Sequence, residues 1–437
     1  MWRTACSILI LASVVSDLYR TVASSVGGED GLFNIESEDS DIMCALQTSM
    51  RRPGEVEPAT TAAGAHKTAY DKAAETADAP TSHATAGQRS LVVTELANTG
   101  RHKNQFQAVF YPSWNLLKKT PNGGNVTVDL MSFCEPHACN IIPEVCKEVP
   151  MGSIPDAKGD AKCFFQKLGD TYAKSQYNYG LSLYFMTSPA FEKVVEGYDY
   201  VMRSDVDAIL LPGLRSWVPE FGSAVGGGYM GTLFTQKRLE VLSKRFGLKH
   251  YGIHGMQSTF YVRANKVVPF AKKLVDLSKH FYDDEFSEII CAEVERTGGH
   301  CAWADWYRPV STLYATDLAA NEILGEPDFK AAQVTDKLDH CATDCWSWGV
   351  RRHGSLADTP FKAREVGQVH LLETKHWFYN SMLEQEERTE FCRLALKTWP
   401  GLKIEQPADW GSQDESISTY FLRVVTDSLP GMCATDV

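Results

Sequence analysis

The chain has 437 residues, 44% apolar and 22% charged, an ordinary globular composition and enough for one large domain with appendages or for two domains. Its formal charge of −12, from 55 acidic and 43 basic side chains, comes with no Lys/Arg-rich stripe, which argues against a nucleic-acid surface. An acidic protein that takes an anionic ligand needs local cations or a metal at its site.

In chain order, the N-terminus reads as a secretory signal. Arg3 precedes an apolar stretch from Ala5 to Val15, which Ser16 and Asp17 end. That stretch is shorter than the roughly 20 apolar residues of a spanning helix, and small residues at Ala23-Ser24-Ser25 offer a cleavage point. A short signal anchor in a secretory-pathway membrane is the alternative, so the expected location is the Golgi or ER lumen, anchored, or outside the cell. From Ser37 to Arg89 the chain is rich in Ala, Thr, Glu and Asp and poor in aromatics. Such a segment buries too little apolar surface to offset its ordering entropy. The expected divisions are residues 1–25 as signal or anchor, 26–95 as a disordered stem, 96–400 as the main domain and 401–437 as a C-terminal extension.

Twelve cysteines suit an oxidising lumen. They fall into groups: Cys134, Cys139, Cys146 and Cys163; Cys291 and Cys301; Cys341 and Cys345; Cys392 and Cys433. Spacing alone does not give the pairing. Zinc bound by Cys134 and Cys139 with His137, or by Cys341 and Cys345 with His340, is the other reading, although neither spacing is the usual one for structural zinc. Asn125-Val-Thr127 is a glycosylation acceptor pattern.

Gln105 to Tyr111 is the first predicted strand, closed by Pro112, and Val126 to Phe133 the second. Tyr172 to Tyr184 predicts a helix, and Phe191 to Tyr198 a short helix stopped at Gly197. Arg238 to Phe246 and Asn265 to Tyr282 carry helical periodicity. Strands alternating with helices predict an α/β fold around a mixed, mostly parallel sheet. Ile417 to Leu429 is an apolar run that predicts a helix packed on the domain.

The chemistry sits in Tyr198-Asp-Tyr-Val-Met-Arg-Ser-Asp-Val-Asp-Ala-Ile-Leu-Leu-Pro-Gly213. A β-prone run ends in Asp205 and Asp207, and a second apolar run follows. On an extended backbone, residues i and i+2 face the same side, so both carboxylates are expected to face one pocket at a strand end. Two hard oxygen ligands side by side suit Mg²⁺ or Mn²⁺ on a diphosphate. A solvated turn or helix cap is the commoner origin of an isolated Asp-x-Asp. Between two buried runs, however, the pair needs a cation or water to offset desolvation and mutual repulsion.

Four segments over residues 105 to 380 together resemble a GT-A-type glycosyltransferase, of the nucleotide-diphospho-sugar transferase superfamily, in a remote subfamily. They are Tyr198 to Asp207, Gly226-Gly-Gly-Tyr-Met-Gly231, Gly252-Ile-His-Gly-Met-Gln-Ser-Thr-Phe-Tyr261 and Gln368-Val-His-Leu-Leu-Glu-Thr-Lys-His-Trp377. The resemblance implies a three-layer α/β/α sandwich that moves a sugar from a nucleotide-diphosphate sugar to a glycan, protein or lipid acceptor. It places Asp205, Asp207 and His370 on Mn²⁺ or Mg²⁺ and Lys375 on the diphosphate. Arg203, Gly227, His254 and Gln257 fall on the donor side, and Asp305, within Trp303-Ala-Asp-Trp-Tyr-Arg-Pro309, is the candidate base. The chain departs from the family pattern at Glu373 in place of glycine, at His376 in place of proline, in a His-to-Lys spacing one residue short, and at Gly255-Met-Gln257 in place of Asn-x-Gly. A metal-dependent phosphoester hydrolase and a catalytically silent binding protein of the same fold are the rival readings.

Overall fold

The first ordered element is β1, Gln88–Leu96. Leu91, Val92 and Val93 are fully buried with Thr94, the continuous apolar run of a strand covered on both faces. All of β1 but Leu96 lies inside the stretch expected to be stem (26–95). A composition window that averages Arg89 to Leu96 with the Ala/Thr-rich residues before it hides a strand this short. β2, Val126–Cys134, matches its prediction and runs parallel to β1 from Gln88↔Val126 to Leu96↔Cys134.

The computed structural model describes residues 87–119, 124–169, 181–219, 223–225, 232–256, 258–325, 338–341, 345–347, 350–352, 362–370, 385–398, 410–412 and 414–433. All of them belong to one compact unit, Asp78–Val437.

The segment read as a first strand, Gln105 to Tyr111, is helical. Thr99 caps α1, Gly100–Gln105, by accepting from His102 N–H at 3.2 Å. A π-helical turn, Phe106–Phe110, leads into α2, Tyr111–Lys119. Phe106, Phe110, Trp114 and Leu117 form one buried stripe in the main core, while Ala108 and Val109 are buried in a second cluster on the other side. With both sides covered, the helix shows the dense apolar run of a buried strand, broken only by Gln107. Pro112 denies the Ala108 carbonyl its α-helical donor, and Ser428 Oγ donates to that carbonyl at 2.6 Å instead.

β3 (Lys147–Glu148), β4 (Cys163–Lys167), β5 (Tyr200–Arg203), β7 (Ser223–Val225) and β8 (Phe260–Arg263) complete a seven-stranded sheet of order β3-β4-β2-β1-β5-β8-β7. β1 to β5 are parallel, and β8 is antiparallel to both β5 and β7. A second sheet joins β6 (Ala208–Leu210), β9 (Asp339–Cys341) and β12 (Gln368–His370), and β10 (Cys345–Ser347) pairs with β11 (Val350–Arg352). Helices cover both sides of the main sheet, which makes the fold α/β as expected.

α3 (Leu181–Tyr184) is the described end of the predicted Tyr172 to Tyr184 helix, whose remainder lies outside the described residues. α4 (Pro189–Val195) starts at a Ser188 cap with proline in its first turn. α5 (Leu233–Arg245) and α6 (Ala264–Asp284) extend their predicted spans, and α7 (Glu288–Arg296) and α8 (Ser311–Ile323) follow.

The C-terminal run forms α10, Ile417–Cys433, whose Tyr420, Phe421, Val424, Val425 and Leu429 are fully buried. They pack in the second cluster with Val109, Ile209 and Phe391, the last of these on α9, Arg388–Thr398. Disulfides join Cys134–Cys139, Cys146–Cys163, Cys291–Cys301 and Cys392–Cys433. Cys134 and Cys139 are therefore paired with each other and not held on zinc, and four such bridges suit an oxidising compartment. Among the described residues no helix is long and apolar enough to cross a membrane.

Candidate functional site

β5 brings the chain to the carboxyl edge of the parallel strands. Its entry is held by Tyr198 and Asp199. The Tyr198 hydroxyl donates to Asp129 at 3.0 Å, and Asp199 accepts from Arg89 N–H at 2.8 Å. These two motif residues thus fix β5 to β1 and β2 at the end away from the acidic pair.

At the other end, Ser204 to Asp207 turn out of the main sheet, and β6 enters the second one. The acidic pair therefore lies in a turn between two strands and not on a strand as expected. The alternation survives in exposure: Val206 is buried while Asp205 and Asp207 are half-buried. β1 has β2 on one side and β5 on the other, so the connections leaving β1 and β5 diverge. That is the topological switch point at which open α/β sheets form their ligand crevice.

Arg203 and Ser258 fix Asp205. The buried Arg203 guanidinium lies 2.5 Å from Asp205 Oδ1 and donates to the Ser258 carbonyl at 3.0 Å. Ser258 Oγ donates to Asp205 Oδ2 at 2.6 Å. Arg203, expected on the donor side, is thus engaged with the acidic pair itself. The adjacent Thr259 hydroxyl accepts from Gln368 Nε2 at 2.9 Å, which ties this loop to β12.

β12 runs antiparallel to β6 with Gln368↔Leu210, Val369↔Ile209 and His370↔Ala208. His370 therefore sits on the backbone directly across from the residue after Asp207. The strand pairing sets the start of the fourth resemblance segment against the three residues that follow the first.

Carboxyls gather at this edge. Glu95 lies on β1 two residues beyond Val93, the residue paired with Arg203 at the end of β5, and feels the charge of Asp205. Burial chiefly, and then the charges of Glu135 and Asp205, push the Glu95 carboxyl up to about 8 against the opposing pull of Arg203. Close by, burial and then Arg101 hold the His102 imidazole down at about 4, so it is neutral at pH 7. Neither residue is flagged by a motif; a carboxylate closing an apolar strand was the available signal for Glu95.

Residues 84–353 match the model of a family described as a domain of unknown function, DUF7164. The chain belongs to this family. The DUF7164 span holds β1, the Asp205–Asp207 turn and the loop around His254, and it ends before His370. Among solved structures, the chain is similar to the apo form of a bifunctional glycosyltransferase, WbbM, at 10% identity and a TM-score of 0.33. The alignment covers 67% of this chain and 47% of that one, so the chain spans about half the length of that protein. No curated protein matches.

Asp305, in the DUF7164 span, holds a loop together. Its Oδ1 accepts from Thr232 Oγ1 at 2.6 Å, its Oδ2 from His300 N–H at 3.1 Å, and its carbonyl from Thr235 Oγ1 at 2.6 Å. Thr232 is also the cap of α5. Of the neighbouring aromatics, Trp306 is fully buried and stacks on Tyr314 at 4.6 Å; it is core, whereas Trp303 is exposed.

His254 is buried in a cluster of its own. Its Nδ1 lies 3.0 Å from Asp317 Oδ2, and His250 Nε2 lies 2.9 Å from Asp317 Oδ1. Gly255 N–H donates to Asp317 Oδ2 at 3.1 Å. Burial opposes ionisation of both His254 and Asp317, but their mutual hydrogen bond and charge outweigh it, so the imidazole is raised and the carboxyl lowered from their usual values. Gly227, Gln257 and Lys375 lie outside the described residues. A separate groove of about 530 Å³ opens between α2 and α10, lined by Tyr111, Lys119, Arg388 and Asp427 among others. None of the acidic-pair residues lines it.

Proposed function

We propose that the protein is a metal-dependent glycosyltransferase that moves a sugar from a nucleotide-diphosphate sugar to an acceptor in the secretory pathway. The observation that supports this reading is the Asp205–Asp207 turn at the switch point, with the His370 backbone opposite Ala208, the residue after the pair. Asp205, Asp207 and His370 are the residues that would hold Mn²⁺ or Mg²⁺.

The donor set fits such an ion. Two half-buried carboxylates supply hard oxygens. Burial raises the Glu95 carboxyl, and the charges of Glu135 and Asp205 add to it, so Glu95 adds little negative charge beside the pair. When bound, the cation offsets charge on the leaving diphosphate.

The chain's own residues do the rest. Arg203 and Ser258 hold Asp205 in one orientation, which limits the reorganisation of its carboxylate as the donor arrives. Glu95, neutral while protonated, can donate to a donor or acceptor oxygen without adding repulsion. On this reading Lys375, Gly227 and Gln257 serve the donor, and the acceptor is a glycan, protein or lipid.

One observation favours the silent binding protein: Arg203 already neutralises Asp205, which weakens the need for a metal. The two readings separate in a calorimetric titration of the full-length protein with UDP and GDP. The transferase requires Mn²⁺ for nucleotide binding, whereas the silent protein binds without it or not at all.

A further inference from the structure

We propose that His250, His254 and Asp317 form a second metal site, one that takes a zinc-type transition metal and is separate from the acidic pair. The candidate ligand atoms all lie within 4.8 Å of one another. They come from two parts of the chain, the loop after α5 and the middle of α8. The side chains of His250, His254 and Asp317 are 5%, 7% and 0% exposed, so water competes little for the site.

The chemistry selects the ion. Two imidazole nitrogens and a carboxylate oxygen suit zinc and its neighbours better than Mg²⁺ or Ca²⁺, which favour oxygen alone. Tetrahedral ligands at zinc distances stand about 3.3 Å apart. The two His–Asp separations, 2.9 and 3.0 Å, need open by only a few tenths of an ångström, and the two imidazole nitrogens, within 4.8 Å of each other, settle toward the same spacing.

The outer partners are also in place. His254 turns its other nitrogen, Nε2, toward Glu240 Oε1 at 3.6 Å, a small side-chain movement short of the carboxylate–histidine hydrogen bond that orients a ligating imidazole. Asp317 Oδ2 is steadied by Gly255 N–H. Without the ion, His250 Nε2 and His254 Nδ1 each point an N–H at Asp317. With it, the metal replaces those two protons. The His250 proton moves to Nδ1, which gives up the Gly252 N–H that it now accepts at 3.1 Å. Gly252 is exposed, so water replaces that bond.

The site clamps a loop. Asn321 Oδ1 accepts from Tyr251 N–H, Asn321 Nδ2 donates to the Ile253 carbonyl, and Glu322 accepts from Lys249 N–H. The metal would complete this clamp between α8 and the segment that runs on to Ser258, the partner of Asp205. It is a positioning site and does not depend on the transferase reading.

Cobalt substitution tests it. Full-length protein stripped with a chelator is titrated with Co²⁺ and followed by visible absorption. One equivalent should bind through the three side chains and one water and give the intense d–d bands of a four-coordinate site. Those bands should persist in Asp205→Ala and disappear in His254→Gln and in Asp317→Asn. Glu240→Gln should weaken binding about 10-fold to 100-fold. Wild-type protein that shows no such bands, or bands that survive both ligand substitutions, would overturn the proposal, as would their loss in Asp205→Ala. Near-ultraviolet circular dichroism of each metal-free variant establishes that it is folded. If Asp317→Asn does not fold, His254→Gln and the wild-type titration still decide the question.

Discussion

Replacing Asp129 by alanine should destabilise the domain by about 3–5 kcal/mol, the range for leaving one member of a buried ion pair without its partner. Asp129 is fully buried on β2. Its carboxylate accepts from Arg89 Nε at 2.8 Å and Arg89 Nη2 at 2.9 Å, a two-pronged pair. It also accepts from Lys162 N–H at 2.8 Å and from the Tyr198 hydroxyl at 3.0 Å. One carboxylate therefore joins the starts of β1 and β4 to the entry of β5. Arg89 is 13% exposed and recovers some hydration after the substitution, which favours the lower half of the range. Tyr198→Phe removes a single donor to this charged group while Asp129 keeps three, so its cost should fall at the lower end of about 1.5–3 kcal/mol. Urea denaturation of wild type and the two variants measures both values. A loss below about 1 kcal/mol for Asp129→Ala would refute the assignment of this carboxylate as the clamp of the sheet.

Ser258→Ala removes the 2.6 Å bond to Asp205, a hydrogen bond to a charged group worth about 1.5–3 kcal/mol. Manganese-dependent nucleotide affinity should fall about 10-fold or more, and calorimetry reads it. Glu95 binds its proton more tightly in the folded protein, with a carboxyl raised from 4.5 to about 8. Its contribution to stability is therefore complete below about 4.5 and is lost as pH rises through about 8. Thermal melts from pH 5 to 9 should show wild type losing stability relative to Glu95→Gln; parallel profiles would contradict this. Asp305→Ala leaves Thr232 Oγ1 and His300 N–H without their acceptor and should cost about 1–3 kcal/mol. Full stability with lost turnover would instead mark Asp305 as a base.

What the sequence reveals follows from how local the signal is. β2, α5 and α6 were legible because each carries its own apolar period. The α1–α2 helix was misread because the chain covers both its sides, and Phe106 to Phe110 then look like a core strand. β1 was lost beside a low-complexity neighbour. Asp205 and Asp207 are adjacent in sequence and stood out, but only the strand order reveals that they lie at a switch point. His370 was named through resemblance alone, and the β-pairing sets its backbone opposite Ala208. Glu95 and the shared carboxylate of Asp317 depend on contacts between distant segments, to which no local pattern points.

Calorimetric titration of the full-length protein with UDP and with GDP, with and without Mn²⁺, tests the transferase reading most directly. Manganese-dependent binding of one nucleotide, abolished by Asp207→Ala in a variant that still folds, is the predicted result. Binding that ignores both the metal and Asp207, or no binding by folded protein, would contradict it.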